Sequence, residues 1–398
     1  MFKPSHTALI ALFLVIACAL PVNAAEKVDR TKPVKVFILA GQSNMEGKAM
    51  VSTLDAVIGD AETRDTFKHL KPDGKWAVRR DVWVTFLDKP ERPKSPNFGP
   101  LTVGYGSPKQ ARDENNKRYD VATIGPELGI GWVLGDHYDE PVLLIKAAWG
   151  GRALKYSFRP PSAMPSDEEI RAEVAAIKQR KPDADVTFES RKQGYGSDYR
   201  AIISETHRAL KDIDKYVPGY TPKQGYELTG FIWFQGWNDM VGGGNPDYTE
   251  QLAHFIRDMR RDLKAPNLPF VIGELGAGGV DANEGALTFR RQQAAVADIP
   301  EFKGNVAFAK TAIYWPKVPD MSEKWAAFRA EAKKNESKPK DDPTRIHPGD
   351  FYHKNWVLKY KEDLKYTSDR PYHYMGSGAC YYQMGESMGR AMVGLIKK

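Results

Sequence analysis

Ser43 stands at the point where a predicted strand gives way to a predicted helix. The run 34–40 is almost entirely apolar, which is typical of a strand buried on both faces of a parallel sheet. Gly41 permits a sharp turn after this run, and Ser43 with Asn44 is a favourable helix start. Unpaired N–H groups at a helix N-terminus stabilise an alkoxide or a tetrahedral oxyanion. The position therefore predicts a serine nucleophile for acyl transfer, with a simple helix cap as the alternative.

Two further blocks, each directly after an apolar run, contain the hydrogen-bond donors that acyl transfer requires. Gly150 and Gly151 form a tight turn that can present a backbone N–H to a developing oxyanion. Gln235 carries a side-chain amide that can donate a second bond, and Asn238 in the same block is a further candidate for binding the oxyanion or the substrate. The alternative is structural: glycines that only end strands, and an amide buried in the core.

The base for this serine has two candidates near the C-terminal end. His373 lies directly before a predicted amphipathic helix, and Asp369 stands four residues before it. His353 has Asp350 three residues before it, but the lysine-rich residues that follow favour solvent exposure. We expect His373 to be the base, oriented by Asp369 or by a backbone carbonyl in a serine–histidine dyad.

Two other motifs are weaker indications of chemistry. His347, Asp350 and His353 form an H-x-x-D-x-x-H string, but on a loop with proline and glycine this spacing does not bring three ligands to one face. We therefore expect a surface loop and no metal site there. Ser387 lies in a G-x-S-x-G string, yet no histidine follows it as the α/β-hydrolase order requires. We expect its glycines and serine to let the last helix pack closely against the sheet.

Four segments together resemble the sequence blocks of SGNH hydrolases, specifically carbohydrate esterase family 6 and the sialate O-acetylesterases. They are GQSNMEG at 41–47, GGR at 150–152, WFQGWND at 233–239, and the histidine loop with its closing helix at 366–397. The resemblance covers most of residues 34–60, 122–312 and 366–397. Three positions depart from the family pattern: Arg152 replaces a threonine, Trp237 replaces a glutamate, and Arg370 occupies the usual place of the acid.

This resemblance implies a three-layer αβα fold of the flavodoxin-like SGNH type and hydrolysis of O-acetyl groups on sugars, without a cofactor or metal. Ser43 would be the nucleophile, and backbone N–H groups together with the Gln235 amide would bind the oxyanion. Two other functions stay open. One is a catalytically silent carbohydrate-binding protein of the same fold, suggested by the unusual spacing of the acid. The other is an esterase for other acyl chains. Neither the acetylated sugar nor the oligomeric state can be read from the sequence.

Apolar runs alternate with helical patterns along the rest of the chain. Further strands are expected at 142–148, 228–234, 270–275 and 306–312, and helices at 124–138, 197–215, 246–264, 287–297 and 376–396. Such alternation implies right-handed crossovers and about five parallel strands that are covered on both faces. Ligands bind at the carboxyl ends of such strands, so we expect Ser43, Gly150 and Gln235 on one rim.

The sequence predicts one exported domain with polar insertions. Residues 1–24 have a positive start, an apolar centre and a small-residue cleavage site, as in a secretory signal. The hydrolase domain would occupy 30–398, with insertions near 52–120, 158–196 and 317–366. Removal of the signal leaves 374 of the 398 residues, which suffices for one core.

Charge and cysteine content narrow the class further. The signal carries only one charge, Lys3, so the net charge falls from +7 to +6 on its removal. That excess is mild, and no basic–aromatic cluster indicates nucleic acid binding. The apolar centre of the signal is too short to span a membrane, so we expect a secreted or periplasmic protein. Cys18 lies in a weak lipoprotein box and is a minor alternative, whereas Cys380 would remain alone and form no internal disulfide.

Overall fold

A seven-stranded sheet runs through the centre of the protein in the computed structural model, which describes residues 28–87, 96–113, 115–316 and 320–396. The strands in chain order are β1 (Val34–Gly41), β2 (Ala49–Met50), β3 (Arg79–Leu87), β4 (Pro96–Leu101), β5 (Lys109–Arg112), β6 (Arg118–Val121), β7 (Thr123–Ile124), β8 (Val142–Ala148), β9 (Tyr226–Phe234), β10 (Phe270–Gly273) and β11 (Val306–Ala309). The main sheet has the order β11-β10-β9-β1-β8-β3-β4, in which β4 is antiparallel and its other strands are parallel. The pairs β2–β7 and β5–β6 form two small antiparallel sheets.

Helices cover both faces of the main sheet. They are α1 (Ser43–Glu46), α2 (Val51–Gly59), α3 (Arg64–Phe67), α4 (Glu127–His137), α5 (Asp167–Arg180), α6 (Phe188–Gly194), α7 (Ser197–Lys211), α8 (Ile213–Tyr216), α9 (Trp237–Met240), α10 (Tyr248–Asp262), α11 (Glu284–Ala295), α12 (Met321–Glu336), α13 (Pro348–Tyr352) and α14 (Gly378–Ile396). A π-helical segment, His353–Leu358, directly follows α13. The predicted parallel α/β fold class is confirmed.

β1 lies in the middle of the sheet between β8 and β9, so its side chains are buried on both faces. Phe37 and Leu39 belong to the core that is shared with α2, α4 and α14. Ile38 and Ala40 point the other way, into the core shared with α7, α10 and α11. This alternation explains the unbroken apolar run in the sequence, and it produces three layers with the sheet in the middle.

α14 and α4 cross with their backbones in close contact. A Cβ atom at Gly129 would overlap a backbone carbonyl of α14, and one at Gly385 would overlap the carbonyl of Pro126. The glycines of the G-x-S-x-G string therefore do serve close packing, but against α4 and not against the sheet as predicted. The hydroxyl of Ser387 donates a hydrogen bond to the carbonyl of Lys310 at 2.9 Å.

The predicted insertions contain more regular structure than expected. The segment 52–120, which we predicted as a polar insertion, contributes β3, a nine-residue strand parallel to β8. The sheet therefore has one parallel strand more than predicted. The segment 158–196 contains α5 and α6, and the described part of 317–366 contains α12 and α13.

The predicted export signal, with Cys18, lies outside the described residues. Within the part of the chain that the structure describes, no helix is long and apolar enough to cross a bilayer. Cys380 is buried and has a free thiol.

Candidate active site

Ser43 is held by a turn that only glycine permits. Gly41 ends β1 at φ +152°, and a Cβ atom there would overlap the carbonyl of Phe234 in the neighbouring strand β9. The chain turns sharply at this point, and Ser43 becomes the first residue of α1, at the carboxyl end of β1. Its Oγ lies 3.0 Å from Nε2 of His373, so the sequence-predicted pair is within hydrogen-bond distance.

The loop that carries His373 has an unusual backbone. Tyr374 and Met375 both have positive φ angles, 51° and 54°, in which non-glycine residues are rarely found. Hydrogen bonds within the loop and from α1 hold this strained turn. The backbone N–H of Asp369 donates to the carbonyl of Met375 at 2.9 Å, and the amide of Asn44 donates to the carbonyl of Tyr372 at 3.2 Å. Asn44, the neighbour of the serine, therefore fixes the histidine loop against α1.

Asp369 orients His373 in spite of its four-residue spacing. Its Oδ1 lies 3.0 Å from Nδ1 of His373, while its Oδ2 accepts a hydrogen bond from Nζ of Lys109 at 2.9 Å. Burial alone would raise the pKa of this carboxyl, but the hydrogen bond from His373 and the positive charge of Lys109 hold the pKa well below its usual value. Ser43, His373 and Asp369 thus form a continuous hydrogen-bonded line, and the strained turn allows a spacing of four to serve.

Lys109 is a site residue that the sequence analysis missed. It lies on β5, inside the segment expected to be a polar insertion, and it also donates to the carbonyl of Ser368 at 2.5 Å. Since 260 residues separate it from Asp369, no local pattern connects the two.

His353, the rival base, lies elsewhere. It is only 5% exposed, which contradicts the expectation that the lysines after it would keep it in solvent. The segment is helical, so His353 and Trp356 share the inward face and the lysines point outward. Both ring nitrogens of His353 lack a hydrogen-bond partner among the described residues. The H-x-x-D-x-x-H string is thus helical from Pro348 onward, where we expected a surface loop.

The glycine turn after β8 offers one free donor. The backbone N–H of Gly150 is occupied, because it donates to the Glu46 carboxylate at 2.7 Å. Gly151 adopts φ +74°, and among the described residues its N–H has no hydrogen-bond partner. Of the two predicted glycines, Gly151 is therefore the one that can serve an oxyanion.

The amide of Gln235 is not free to bind an oxyanion, contrary to the prediction. Its Nε2 donates to the Asp239 carboxylate at 2.7 Å and to the carbonyl of Arg152 at 3.1 Å. Its Oε1 accepts from the hydroxyl of Tyr248 at 3.1 Å. Gln235 is buried, and all these partners belong to a network that joins the block after β9 to the block after β8. Gln235 is therefore an amide buried in the core, which was the alternative given in the sequence analysis.

Asn238 presents the free amide instead. The Gln42 side chain accepts at Oε1 from the backbone N–H of Gly236 at 3.1 Å, so its amide nitrogen faces the other way, toward Asn238. Gln42 Nε2 accordingly donates to Asn238 Oδ1 at 2.9 Å. This leaves Asn238 Nδ2 pointing away from Gln42, with no hydrogen-bond partner in the described part of the chain. Gln42, whose side chain holds Asn238, is the residue directly before Ser43.

A buried lysine supports the helix that carries Ser43. Lys146, from β8, is fully buried and donates to the carbonyl of Glu46 at 2.6 Å and to the Glu127 carboxylate at 2.8 Å. The bond to the carbonyl of Glu46 ties the end of α1 to the sheet. Removing one partner of a buried ion pair such as Lys146–Glu127 is strongly destabilising. In the sequence, the sign of this network was Lys146 itself, a charged residue inside the predicted buried strand 142–148.

Aromatic side chains flank the histidine. Trp237, one of the departures from the family pattern, is half-buried with its ring 5.3 Å from that of Tyr372, which in turn lies 4.5 Å from the His373 ring. Trp149, directly before Gly150, and Tyr374, directly after His373, are buried and are not available to a ligand.

The chain is similar to a known protein family in sequence and to known proteins in structure. A family model described as carbohydrate esterase, sialic acid-specific acetylesterase, matches residues 33–310, a span that ends before the His373 loop. No curated protein matches the chain in sequence. Among solved structures, a protein from Arabidopsis thaliana is similar at 14% identity and a TM-score of 0.42, covering 91% of this chain and 98% of that one.

Two further solved structures are similar over part of the chain. One is described as XAC1771, a novel carbohydrate acetylesterase from Xanthomonas citri, at 16% identity and a TM-score of 0.36, covering 69% of this chain and 49% of that one. The other is NanS, at 17% identity and a TM-score of 0.37, covering 70% of this chain and 78% of that one.

Proposed function

The chain belongs to the carbohydrate esterase family of sialic acid-specific acetylesterases, and from this premise we propose that it hydrolyses O-acetyl esters of sugars with Ser43 as nucleophile. The observation that carries the proposal is the hydrogen-bonded line from Ser43 through His373 to Asp369, with 3.0 Å at each step. A nucleophile, a base in contact with it and an acid in contact with the base are the parts that acyl transfer requires.

In the first half-reaction, Ser43 Oγ attacks the acetyl carbonyl carbon while His373 Nε2 accepts the hydroxyl proton. Asp369 accepts the hydrogen bond from Nδ1–H, which fixes the tautomer and stabilises the imidazolium. The negative oxygen of the tetrahedral intermediate is bound by the backbone N–H groups of Ser43 and Gly151 and by Asn238 Nδ2. Collapse of the intermediate expels the sugar oxygen, which takes the proton from His373 and leaves an acetyl ester on Ser43.

In the second half-reaction, water attacks the acetyl-enzyme. His373 accepts a proton from the water, and the same three donors bind the second oxyanion. When this intermediate collapses, the proton returns to Ser43 Oγ and acetate leaves, so no cofactor is required. The silent-binding alternative loses its main argument, since Asp369 is within hydrogen-bond distance of His373 despite its spacing.

Acetate release tests the proposal directly. We expect the wild type to release acetate from p-nitrophenyl acetate and from at least one member of a panel of acetylated plant, algal and sialylated glycans. A serine-reactive phosphonate should label the peptide that contains Ser43, and Ser43→Ala should lower kcat by several orders of magnitude. Labelling at Ser387, or an unchanged rate in Ser43→Ala, would overturn the assignment.

We also propose export, which is supported only by the sequence of residues 1–24. N-terminal sequencing of the secreted protein should find Ala25 first. A lipid-modified Cys18 would instead establish the lipoprotein alternative.

A further inference from the structure

A large cavity lies beside the active site but does not include Ser43 or His373. Its volume is about 610 Å³, enough for a ligand of several rings. Its walls come from the β5–β6 hairpin, from α12 and from the chain segment 348–370. Most of these parts lie in segments that we predicted as insertions, whereas Thr367, Ser368 and Arg370 belong to the histidine loop.

The cavity is strongly basic. Four guanidinium groups line it, those of Arg112, Arg118, Arg329 and Arg370, whereas Glu336 is the only carboxylate among the described lining residues. None of the four arginines is within ion-pair distance of a carboxylate in the part of the chain that the structure describes. Guanidinium groups bind carboxylate and sulfate oxygens in a bidentate manner, and a concave basic site concentrates anions. The charge therefore points to an anionic ligand.

Aromatic rings in the same cavity point to a ligand with ring faces. Tyr119, on β6, is 48% exposed and has no ring partner among the residues that the structure describes. Trp325 and Tyr352 lie among the other lining residues. Sugar rings stack on exposed aromatic faces through their C–H groups, while their substituents reach polar side chains at the rim. Rings and guanidinium groups together match a saccharide that carries acidic groups.

The cavity also touches the support of the catalytic acid. Lys109 and Ser368 line it, and Lys109 contacts Asp369 on the side away from His373. Lys109 would thus separate a saccharide in the cavity from the Asp369 carboxylate.

We propose that this cavity is a binding subsite for an anionic saccharide, one that carries sulfate or carboxylate groups on its rings. The inference rests on the proposed function in one respect: it assigns the saccharide to the same polymer whose acetyl group Ser43 removes. The acetylated residue then occupies the cleft at Ser43, and an acidic residue elsewhere on the polymer occupies the cavity.

Binding of saccharides without acetyl groups tests the subsite independently of catalysis. Isothermal titration of the wild type should show binding of a heparin-derived tetrasaccharide and no binding of neutral cellotetraose. The double variant Arg118→Gln with Arg329→Gln should bind the acidic probe about tenfold more weakly, because two charged contacts are lost. Both arginines are exposed and make no described hydrogen bond, so the variant should fold normally.

A matched control removes two positive charges at the opposite edge of the sheet. Arg80 and Lys223 lie at or before the amino ends of β3 and β9, are exposed and make no described contact. The variant Arg80→Gln with Lys223→Gln should bind the acidic probe as the wild type does. Equal weakening in both double variants, or binding of adenosine diphosphate in preference to the saccharide, would refute the proposal.

Kinetics separates a substrate subsite from a site for a free effector. With an acetylated acidic oligosaccharide, the Arg118/Arg329 double variant should have a raised KM, while kcat/KM on p-nitrophenyl acetate stays unchanged. The tetrasaccharide should compete with that oligosaccharide and leave p-nitrophenyl acetate hydrolysis unaffected. A change in p-nitrophenyl acetate turnover on adding the tetrasaccharide would contradict a substrate subsite and indicate an effector site. Binding without any esterase activity would refute the proposed function alone, and activity without binding would refute the cavity proposal alone.

Discussion

Asn238 and Gln235 carry amides in the same short block, and the structure predicts opposite consequences for their replacement. Asn238 Nδ2 is free, and it is one of three donors assigned to the oxyanion. Loss of one such donor lowers kcat by roughly 10²–10³-fold, which corresponds to about 2.7–4 kcal/mol of transition-state stabilisation. In Asn238→Ala the Gln42 amide also loses its acceptor, at a cost of about 1 kcal/mol in the free energy of unfolding. The variant should therefore be folded and slow, with a nearly unchanged KM.

Gln235→Ala should behave in the reverse way. The substitution breaks buried bonds to Asp239 and Tyr248 and a partly buried bond to the carbonyl of Arg152. At about 1 kcal/mol for each bond, plus the penalty for the groups left unpaired, we expect the free energy of unfolding to fall by about 3–5 kcal/mol. The kcat of the molecules that remain folded should fall by no more than about tenfold, since the amide does not reach the oxyanion.

Two measurements on each variant distinguish these outcomes: initial rates with p-nitrophenyl acetate, and urea unfolding followed by fluorescence. Asn238→Asp is the matched control, because it retains an acceptor for Gln42 but places a carboxylate where the oxyanion donor was. It should be as stable as the wild type and at least as slow as Asn238→Ala. The reasoning is refuted if Gln235→Ala loses 10²–10³-fold in kcat at unchanged stability while Asn238→Ala remains active.

The remaining predictions concern the bases and the acid. His373→Ala should lose nearly as much activity as Ser43→Ala, and the double variant little more, because the two groups act as a unit; additive losses would contradict this. His353→Ala should retain most of its kcat when rates are corrected for folded protein by urea titration, and an inactive but folded variant would restore it as the base. Lys109→Met should lower the free energy of unfolding by about 2 kcal/mol at pH 7. Asp369 has a depressed pKa in the folded state, so its stabilising contribution is present above its unfolded pKa of about 3.9 and is lost as the pH falls further. The difference between wild type and Lys109→Met should therefore shrink below about pH 4 in urea titrations, and a constant difference would exclude an ionic origin.

The sequence predicted those parts of the site that depend on neighbours along the chain. A buried strand, a glycine and a serine at a helix start are all local features, and the topology of parallel sheets brings the carboxyl ends of β1, β8 and β9 together. The choice between Gln235 and Asn238 is not local. Both amides follow the same strand, and only their partners, Tyr248 for one and Gln42 for the other, determine which amide is free.

Charged neighbours misled the analysis at two other places. β3 begins with two arginines and an aspartate, and it lies in a segment that we predicted as a polar insertion. At His353 the lysines that follow suggested solvent, but a helical segment can expose lysines on one face and bury His353 and Trp356 on the other. In both cases tertiary packing decided the outcome, and the local composition was compatible with either structure.

Lys109 lies in a segment predicted as an insertion, yet it contacts Asp369 in the candidate active site. The β5–β6 hairpin supplies the lysine that holds Asp369, and the same hairpin forms one wall of the basic cavity. A substitution in this hairpin that displaced Lys109 would change the wall of the proposed saccharide subsite and also remove the contact that helps to lower the pKa of Asp369. If the proposed function and subsite hold, substrate selectivity and catalytic geometry are coupled through Lys109. Exchange of the hairpin between relatives should change kcat as well as KM unless the contact between Lys109 and Asp369 is preserved.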